Sequence, residues 1–256
     1  MTSFFDLAAA LDMTYLHPGG VYATETWLRR VPLRPTMRIL DLGCGTGATA
    51  VQIARTFRAH VIALDRLHGM LKAARRRIHM HRCTSWVHCI LADAAIGLPF
   101  RDAVLDGIYA ESVVALLPLR PLLAECYRIL RPGGFLVLIE RIWKPGTAVT
   151  TVHRLNALSL AMFGIPAAVE PLDRMGWIQA LQDTGFTVQE TMRVQPTSVR
   201  AEHAHRLYKW LRRLRILRRP GLLLPALQFR WRTFRYGRQF ASMEPWLFIA
   251  IRNGAL

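Results

Sequence analysis

Short apolar runs alternate with longer segments of helical periodicity through the first 142 residues of the chain. Glycine, proline or an acidic residue borders most of these runs, as expected for buried strands. Strands are predicted over residues 38–42, 61–65, 86–91, 104–111 and 135–140. Helices are predicted between them, among others from His68 to about His79 and over Pro118–Leu130. Because strands and helices alternate, the pattern predicts an α/β fold with a mostly parallel sheet.

Two segments flank the predicted core at residues 37–142, and one domain can hold them all at this chain length. Residues 1–36 are predicted to form an N-terminal cap, with a helical piece at Ala8–Leu11 and a second helix that Thr24 or Thr26 begins. Residues 143–172 are predicted to form a lid around an apolar helix at 155–163, which is too short to span a bilayer.

The C-terminal part, residues 173–256, is predicted to complete the sheet. It contains a helix over 173–184, a strand over 186–193 and a final strand over 246–252. Residues 200–240 form an insertion between the two strands. The first half of this insertion, Arg206 to Leu217, repeats apolar residues at helical spacing with arginine and lysine on the opposite face, which predicts a basic amphipathic helix.

The candidate binding site is the glycine-rich stretch that follows the first strand. Gly43, Gly45 and Gly47 alternate with other residues and lead into a helical pattern. Glycine has no Cβ and tolerates positive φ angles, so such a turn lets a ligand approach the backbone closely at a helix N-terminus. The pattern predicts a strand, a tight loop and a helix that together bind a flat or anionic group.

Two cofactor classes use a loop of this kind. A dinucleotide site has glycine at the first, third and sixth positions, and its fingerprint tolerates the Ala48 found at the sixth. Asp41, two residues before the first glycine, and the compact glycine spacing favour the other class. The segment "LDLGCGTG" resembles motif I of class I S-adenosylmethionine-dependent methyltransferases. The resemblance implies that S-adenosyl-L-methionine is bound by Asp41, Gly43, Cys44, Gly45 and Gly47.

Two more motifs resemble the same family in order and spacing. They are "ADA…LPF", which begins at Ala92, and the "LRPGG" turn that ends at Gly134. The resemblance implies a Rossmann-like seven-stranded, mostly parallel sheet with helices on both faces and an antiparallel last strand. The turn has a structural role, because proline ends the preceding helix and glycine supplies the bend.

The family resemblance also assigns the ends of the second and third strands. It implies that Asp65 accepts hydrogen bonds from the ribose hydroxyls, and that Arg66 and Met70 flank the adenine. It further implies that Asp93 accepts from the adenine amino group and that the backbone of Ala94 meets a ring nitrogen. From the residues alone, Asp65 can also cap the following helix and Asp93 can be a turn residue.

The methionine end of the cofactor is expected beside Ala110 and Glu111, where the fourth strand ends. Glu111 can contact the substrate or the amino group of the cofactor, or cap a helix. Tyr15 and His17, in the predicted cap, are the candidate catalytic residues, and His17 is the candidate general base for an acceptor that loses a proton. The alternative is that Tyr15 packs and His17 satisfies a loop.

These motifs predict an enzyme that moves a methyl group to a small, apolar or aromatic acceptor, similar to the ubiquinone and menaquinone methyltransferases. A nicotinamide-dependent oxidoreductase leaves the second and third motifs unexplained. A non-catalytic protein of this fold would have a damaged cofactor site, whereas the motif residues are intact. The four cysteines have neither paired nor metal-ligand spacing, so no metal site is expected.

The chain is strongly basic, with a formal net charge of +17. Residues 206–238 hold eleven arginine or lysine residues and no acid, so 17 − 11 leaves +6 for the rest. Such a segment can contact an anionic membrane, or dock its apolar residues on the core while arginine faces water. Nucleic acid is the third interpretation, and it would make the protein an RNA methyltransferase.

The predicted location is cytoplasmic, with peripheral contact at the inner membrane surface as a further possibility. The acidic N-terminal segment does not resemble a secretory signal, and no apolar run reaches the length of a membrane span. The oligomeric state and the acceptor atom are not indicated by the sequence.

Overall fold

A computed structural model describes residues 4–194 and 220–254 of the chain. The described strands β1 to β7 span Arg38–Leu42, His60–Asp65, Val87–Leu91, Leu105–Glu111, Leu130–Trp143, Phe186–Arg193 and Met243–Arg252. The described α-helices, numbered α1 to α8 in chain order, span Phe4–Ala10, Gly20–Leu28, Ala48–Phe57, His68–Met80, Leu119–Ile129, Val149–Phe163, Arg174–Asp183 and Leu223–Tyr236.

The strands form one seven-stranded sheet in the order β3-β2-β1-β4-β5-β7-β6. Strands β1 to β5 pair in parallel, whereas β7 pairs antiparallel with both β5 and β6. The strand order reverses between β1 and β4, which is where ligands bind in open α/β sheets. The predicted Rossmann-like sheet with an antiparallel last strand is therefore confirmed.

Apolar cores lie on both faces of the sheet. One core joins Leu40 and Leu138 to residues of α5, α6 and α7, and the other joins Ile39 and Val137 to residues of α2, α3 and α4. Successive strand residues alternate between these cores, so the central strands are apolar on both sides. The strands were recognisable as apolar runs for this reason.

Several predicted boundaries differ from the structure. Helix α1 begins at Phe4, earlier than the predicted piece at Ala8–Leu11. Helix α2 begins after Gly19, whose φ of 76° turns the chain, so Thr24 and Thr26 lie inside the helix instead of capping it. Strand β5 extends beyond both predicted ends, because the segment before its glycines also pairs with β4 and its last residues pair with β7.

The basic residues of α4 divide between solvent and core. Lys72, Arg75 and Arg76 are exposed, whereas Arg77 is buried, because it hydrogen-bonds the Thr46 carbonyl and pairs with Asp12. The aromatic and arginine residues at 229–236 belong to α8. The helix predicted from Arg206 to Leu217 lies outside the described residues.

Candidate active site

A cavity of about 740 Å³ opens at the carboxyl edge of the parallel strands. Its floor is made by the ends of β1, β2 and β4 and by the loop after β3, and its cover by α1, α6, α8 and the segment before α2. The volume lies within the usual range of small-molecule sites, about 300–1,000 Å³. The residues predicted to bind the cofactor and the apolar residues of the cover helices line the same cavity.

The glycine loop forms one wall of the cavity. Gly43 has a φ of 75°, and a Cβ there would lie 2.2 Å from Cγ2 of Val113, so this glycine lets the loop after β4 pack closely. Gly45 has a φ of 53° and nothing within 4 Å of the position of a Cβ. A side chain at Gly45 would therefore occupy cavity space, whereas glycine leaves the backbone open to a ligand.

Asp65 stands at the tip of β2 and is held by two backbone amides. Its Oδ2 accepts from Gly45 N at 2.9 Å, and its Oδ1 accepts from Leu67 N at 2.8 Å. Burial raises the pKa of this carboxyl, and the two amide hydrogen bonds partly counteract that rise. Because a carboxylate has about four acceptor positions, these bonds leave capacity for ligand hydroxyls.

Asp93 and Met70 line the far end of the cavity. The Asp93 Oδ1 accepts from Ala95 N at 3.0 Å, which makes the turn that sequence analysis left as an alternative, and no other described residue bonds its carboxylate. Met70 is buried on α4 and packs with α1 in a small apolar cluster. An apolar slot with one carboxylate at its end suits a flat, amino-bearing ring.

Asp41 is buried at the end of β1, directly opposite Tyr109 in the β1–β4 register. Burial raises the pKa of Asp41 well above its usual value, and nearby Glu111 and Asp65 add to the rise. Tyr109 and Asp41 interact electrostatically, yet among the described residues neither Asp41 Oδ2 nor the Tyr109 hydroxyl has a partner in hydrogen-bond geometry. Asp41 Oδ2 is thus a buried acceptor that a bound donor can satisfy.

Glu111, at the end of β4, fastens the N-terminal segment to the sheet. Its Oε1 accepts from Thr24 Oγ1 at 2.7 Å and from Trp27 Nε1 at 3.1 Å. Its Oε2 accepts from Thr49 Oγ1 at 2.8 Å and lies 3.3 Å from His17 Nε2. Contacts to four residues surround this carboxylate, so direct contact with a cofactor amino group stays a prediction.

His17 is buried at the cavity wall, with acceptors at both ring nitrogens. Nδ1 lies 3.1 Å from the Pro18 carbonyl oxygen, which can only accept. Nε2 faces Glu111 and lies 3.1 Å from Thr24 Oγ1, whose proton is already donated to Glu111. Both ring nitrogens of His17 therefore face acceptors, and the ring is held against Glu111 and the loop before α2.

Tyr15 lies beside His17, with the two rings in edge contact at a centroid distance of 6.2 Å. Its hydroxyl donates to Gln52 Oε1 at 3.0 Å. Burial, with Glu111 nearby, raises the pKa of Tyr15 to about 12. Tyr15 is therefore a neutral hydrogen-bond donor across the physiological pH range.

Glu140 lies near the carboxyl end of β5 and holds the loop after β4. Its Oε1 accepts from Val113 N at 3.0 Å and Val114 N at 2.8 Å, at the start of a short 3₁₀ turn over Val114–Leu116. The carboxyl is only 1% exposed, and burial raises its pKa to about 7. Glu140 thus fixes the loop whose residues Ser112 and Val113 line the cavity.

The cover over the apolar end is held by aromatic contacts. Phe4 of α1 stacks on Phe229 of α8 at 4.6 Å, and Phe163 of α6 makes edge contacts with both rings. Arg232 of α8 also donates to the Met162 carbonyl at 3.0 Å. Three helices from distant parts of the chain are therefore joined directly above the cavity.

The structure brings nearly all the predicted site residues together. Tyr15, His17, Asp41, Gly43, Cys44, Gly45, Asp65, Arg66, Met70, Asp93, Ala94 and Glu111 line the cavity. Gly47 instead precedes α3 with a φ of 72°, and Ala110 is fully buried in the sheet. Sequence reasoning missed Thr24, Glu140 and Arg141. Glu140 and Arg141 could have been found from the sequence, because two charged residues follow the fifth apolar run at the sheet edge where ligands bind.

The comparisons with known proteins agree with this geometry. A family model described as a methyltransferase domain matches residues 40–138. The O-methyltransferase rstn1 of Aspergillus nomiae is 33% identical over 182 residues, which are 69% of this chain and 77% of the relative. The chain belongs to the class I S-adenosylmethionine-dependent methyltransferases, and it is a methyltransferase of the small-molecule type.

Solved structures show the same fold. The [4+2]-cyclase SpnF superposes with a TM-score of 0.73 at 18% identity, over 98% of this chain and 94% of that one. The geranyl diphosphate C-methyltransferase of Streptomyces coelicolor A3(2), solved with S-adenosyl-L-homocysteine, gives a TM-score of 0.65 at 20% identity, covering 91% of this chain and 76% of that one. S-adenosylmethionine is the cofactor of this family. The open Gly45 backbone and the unsatisfied Asp41 Oδ2 fit such a ligand here.

Proposed function

We propose that the enzyme methylates a small, mainly apolar or aromatic acceptor bound under the cover helices. The supporting observation is the continuity of the cavity, which runs from Asp65 and Gly45 to an aromatic end at Phe163 and Phe229. Apolar surface released from water there contributes about 25 cal/mol per Å² to binding. The lining thus favours a lipophilic acceptor over a polar one.

The residues proposed to hold the cofactor follow the sheet edge. Asp65 would accept from the ribose hydroxyls, Asp93 and the Ala94 backbone would hold the adenine, and Gly45 would allow close approach. Bound S-adenosylmethionine supplies an electrophilic methyl group on a positively charged sulfur. The protein then contributes mainly by holding the acceptor in line and excluding water.

His17 and Tyr15 are the proposed catalytic residues on the acceptor side. Tyr15 would donate a hydrogen bond to the acceptor in place of its present bond to Gln52 Oε1, and its raised pKa keeps the phenol neutral. His17 would act as a general base only with one ring nitrogen deprotonated and turned from its present partner toward the acceptor, since both ring nitrogens now face acceptors. Such release is needed only for acceptors that ionise, such as phenols.

Two matched glycine variants test the proposal. Gly45→Val fills the cavity wall, whereas Gly133→Val places the same side chain at a similarly positive φ of 77° in open space at the other end of the sheet. With labelled S-adenosylmethionine, we expect the wild type and Gly133→Val to label an alkylphenol or another lipid-extractable acceptor, and Gly45→Val to lose this activity and binding of S-adenosylhomocysteine. Label transferred to RNA alone would refute the small apolar acceptor.

We also propose that α8 contacts a membrane surface. Leu224, Leu227, Trp231 and Phe234 recur at helical spacing on its outer side and are exposed. Exposed Arg230, Arg235 and Arg238 lie near them, so apolar burial and attraction to anionic lipid can act together. Within the described ranges, no helix has the length and apolar character needed to cross a bilayer. The proposed contact is therefore peripheral.

A further inference from the structure

Arg141 lines the cavity, and its guanidinium has no hydrogen-bond or ion-pair partner among the described residues. Asp41, Asp65, Asp93 and Glu111 line the cavity as well, but none of them forms an ion pair with Arg141. Charged side chains that are enclosed by protein usually have a partner of opposite charge, and Arg141 has none among the described residues.

The guanidinium of Arg141 is partly enclosed by protein. Much of the side chain is open to the cavity, yet protein atoms surround the guanidinium closely enough that burial lowers the pKa of Arg141. No carboxylate among the described residues opposes this effect. A partly desolvated cation gains more from a bound anion than a fully solvated one does.

Its position along the sheet edge separates Arg141 from the cofactor residues. Asp65 ends β2, the glycine loop follows β1, and Glu111 ends β4, whereas Arg141 lies one strand farther along, on β5. At about 4.8 Å per strand, Arg141 is roughly 14 Å along the sheet from Asp65. It therefore lies beyond the cofactor end, toward the acceptor end.

The neighbouring cavity wall is apolar and comes from the cover. Met162 and Phe163 of α6 line this end, together with Phe240 before β7 and Met243 at its start. An apolar end of a cavity with a cation at its edge is complementary to an amphiphile that has an anionic head and an apolar body. The planar guanidinium suits two-pronged binding of carboxylate or phosphate oxygens.

We infer that Arg141 binds an oxyanion on the acceptor, so that the substrate is an amphiphilic carboxylate or phosphate ester whose apolar part lies under α6 and α8. This inference rests on the proposed function, since it concerns the acceptor of the same reaction. The oxyanion would position the acceptor and would be chemically unchanged in the methyl transfer.

Three probes with the same ten-carbon alkyl chain test this inference: undecanoate, decyl phosphate and decanol. Their binding is measured by calorimetry on the full chain with S-adenosylhomocysteine present. The wild type should bind at least one anionic probe about 10- to 100-fold more tightly than decanol, as charge-assisted hydrogen bonds do. Arg141→Gln should remove that preference and leave decanol affinity unchanged, whereas Arg141→Lys should restore part of it. The anion with the larger loss identifies the head group.

Arg76→Gln is the matched control, because Arg76 is an exposed cation on the opposite side of α4 from the core. It should bind every probe as the wild type does. If decanol binds as tightly as both anions, or if Arg141→Gln leaves the preference intact, the inference is wrong while cofactor binding stands. If Arg141→Gln weakens S-adenosylhomocysteine instead of the probes, the guanidinium serves the cofactor carboxylate. Failure of the wild type to bind S-adenosylhomocysteine would refute the proposed function itself.

Discussion

Five carboxylates lie along the carboxyl edge of the sheet, and their immediate partners separate their roles. Asp41 has a buried oxygen without a donor, whereas Glu111 is surrounded by donors from four residues. Glu140 holds only backbone amides, and Asp65 and Asp93 combine backbone bonds with exposure to the cavity. Carboxylates that retain acceptor capacity suit ligand binding, and a saturated one suits a structural role.

Asp65→Ala should weaken binding of S-adenosylhomocysteine by about 1.5–3 kcal/mol, the range for hydrogen bonds to a charged group. The variant should also lose stability, because the amides of Gly45 and Leu67 lose their acceptor. Asp173→Ala is the control, since it removes a carboxylate that caps α7 by accepting from Gly176, away from the cavity. Calorimetry should show normal affinity for the control, and a folded Asp65→Ala protein with normal affinity would contradict the assignment.

Glu140 should make stability depend on pH. Its folded pKa of about 7 lies above the ordinary 4.5, so the folded state keeps a proton that the unfolded state releases. Stability from this group is complete below pH 4.5 and is lost as pH rises toward 7 and above. Glu140→Gln cannot ionise, so its stability relative to wild type should grow by roughly 2–4 kcal/mol between pH 4.5 and 8. Denaturant unfolding at several pH values measures this, and parallel curves would contradict it.

At the scale of elements, the attachment of α2 depends on one side chain of β4. Three of the donors to Glu111 come from residues before or inside α2, namely His17, Thr24 and Trp27. The fourth donor is Thr49, which lies at the start of α3. Helix α2, α3 and the cavity wall are therefore fixed together through a single carboxylate at the strand end.

Glu111→Gln should loosen α2, because an amide has one acceptor oxygen and presents an NH₂ group to the remaining donors. We expect hydrogen exchange over residues 20–28 to accelerate and unfolding free energy to fall by about 2–4 kcal/mol. Glu25→Gln, on the exposed side of the same helix with a 3.9 Å contact to Arg29, should change stability by less than about 1 kcal/mol. Equal exchange rates in the two variants would exclude this role for Glu111.

The elements that sequence predicted well are those whose signal is local. The helix from His68 and the strand over 186–193 follow from periodicity and bounding residues within each segment. The start of α2 was missed because Thr24 resembles a cap locally but bonds Glu111, 87 residues away. Burial of Arg77 depends on Asp12, 65 residues away. Pairing across such distances is set by the assembled sheet and leaves no pattern within a segment.

At the scale of the whole molecule, the proposed cofactor and acceptor sites divide along the sheet. The cofactor motifs lie in β1 to β4, whose strand-loop-helix units have recognisable sequences. The acceptor end combines β5, α1, α6 and α8, which meet only in the fold. The sequence therefore indicated individual residues at the proposed cofactor end but only the general position of the cover, and Arg141 was recognised only from the assembled cavity.

Helix α8 connects this cavity to the outer surface, and vesicle binding tests its outer side. Phe229 faces the cavity, whereas Phe234 is 86% exposed and Trp231 58% exposed. The protein should sediment with anionic liposomes at low salt, bind neutral ones poorly, and lose binding as salt screens the arginines within roughly 10 Å at 0.1 M. Serine at Leu227, Trp231 and Phe234 should reduce the salt-resistant part.

Serine at Met80 and Met175, two exposed apolar residues on α4 and α7, is the matched control and should leave liposome binding unchanged. Glutamine at Arg230, Arg235 and Arg238 should reduce the salt-sensitive part, at about 1 kcal/mol per residue near the bilayer. Because Phe229 and Phe234 lie on one helix, membrane contact would bring the cavity cover to the bilayer that holds a lipophilic acceptor. Protein that stays in the supernatant at low salt and instead binds RNA tightly would reject the membrane contact and favour nucleic acid as the partner.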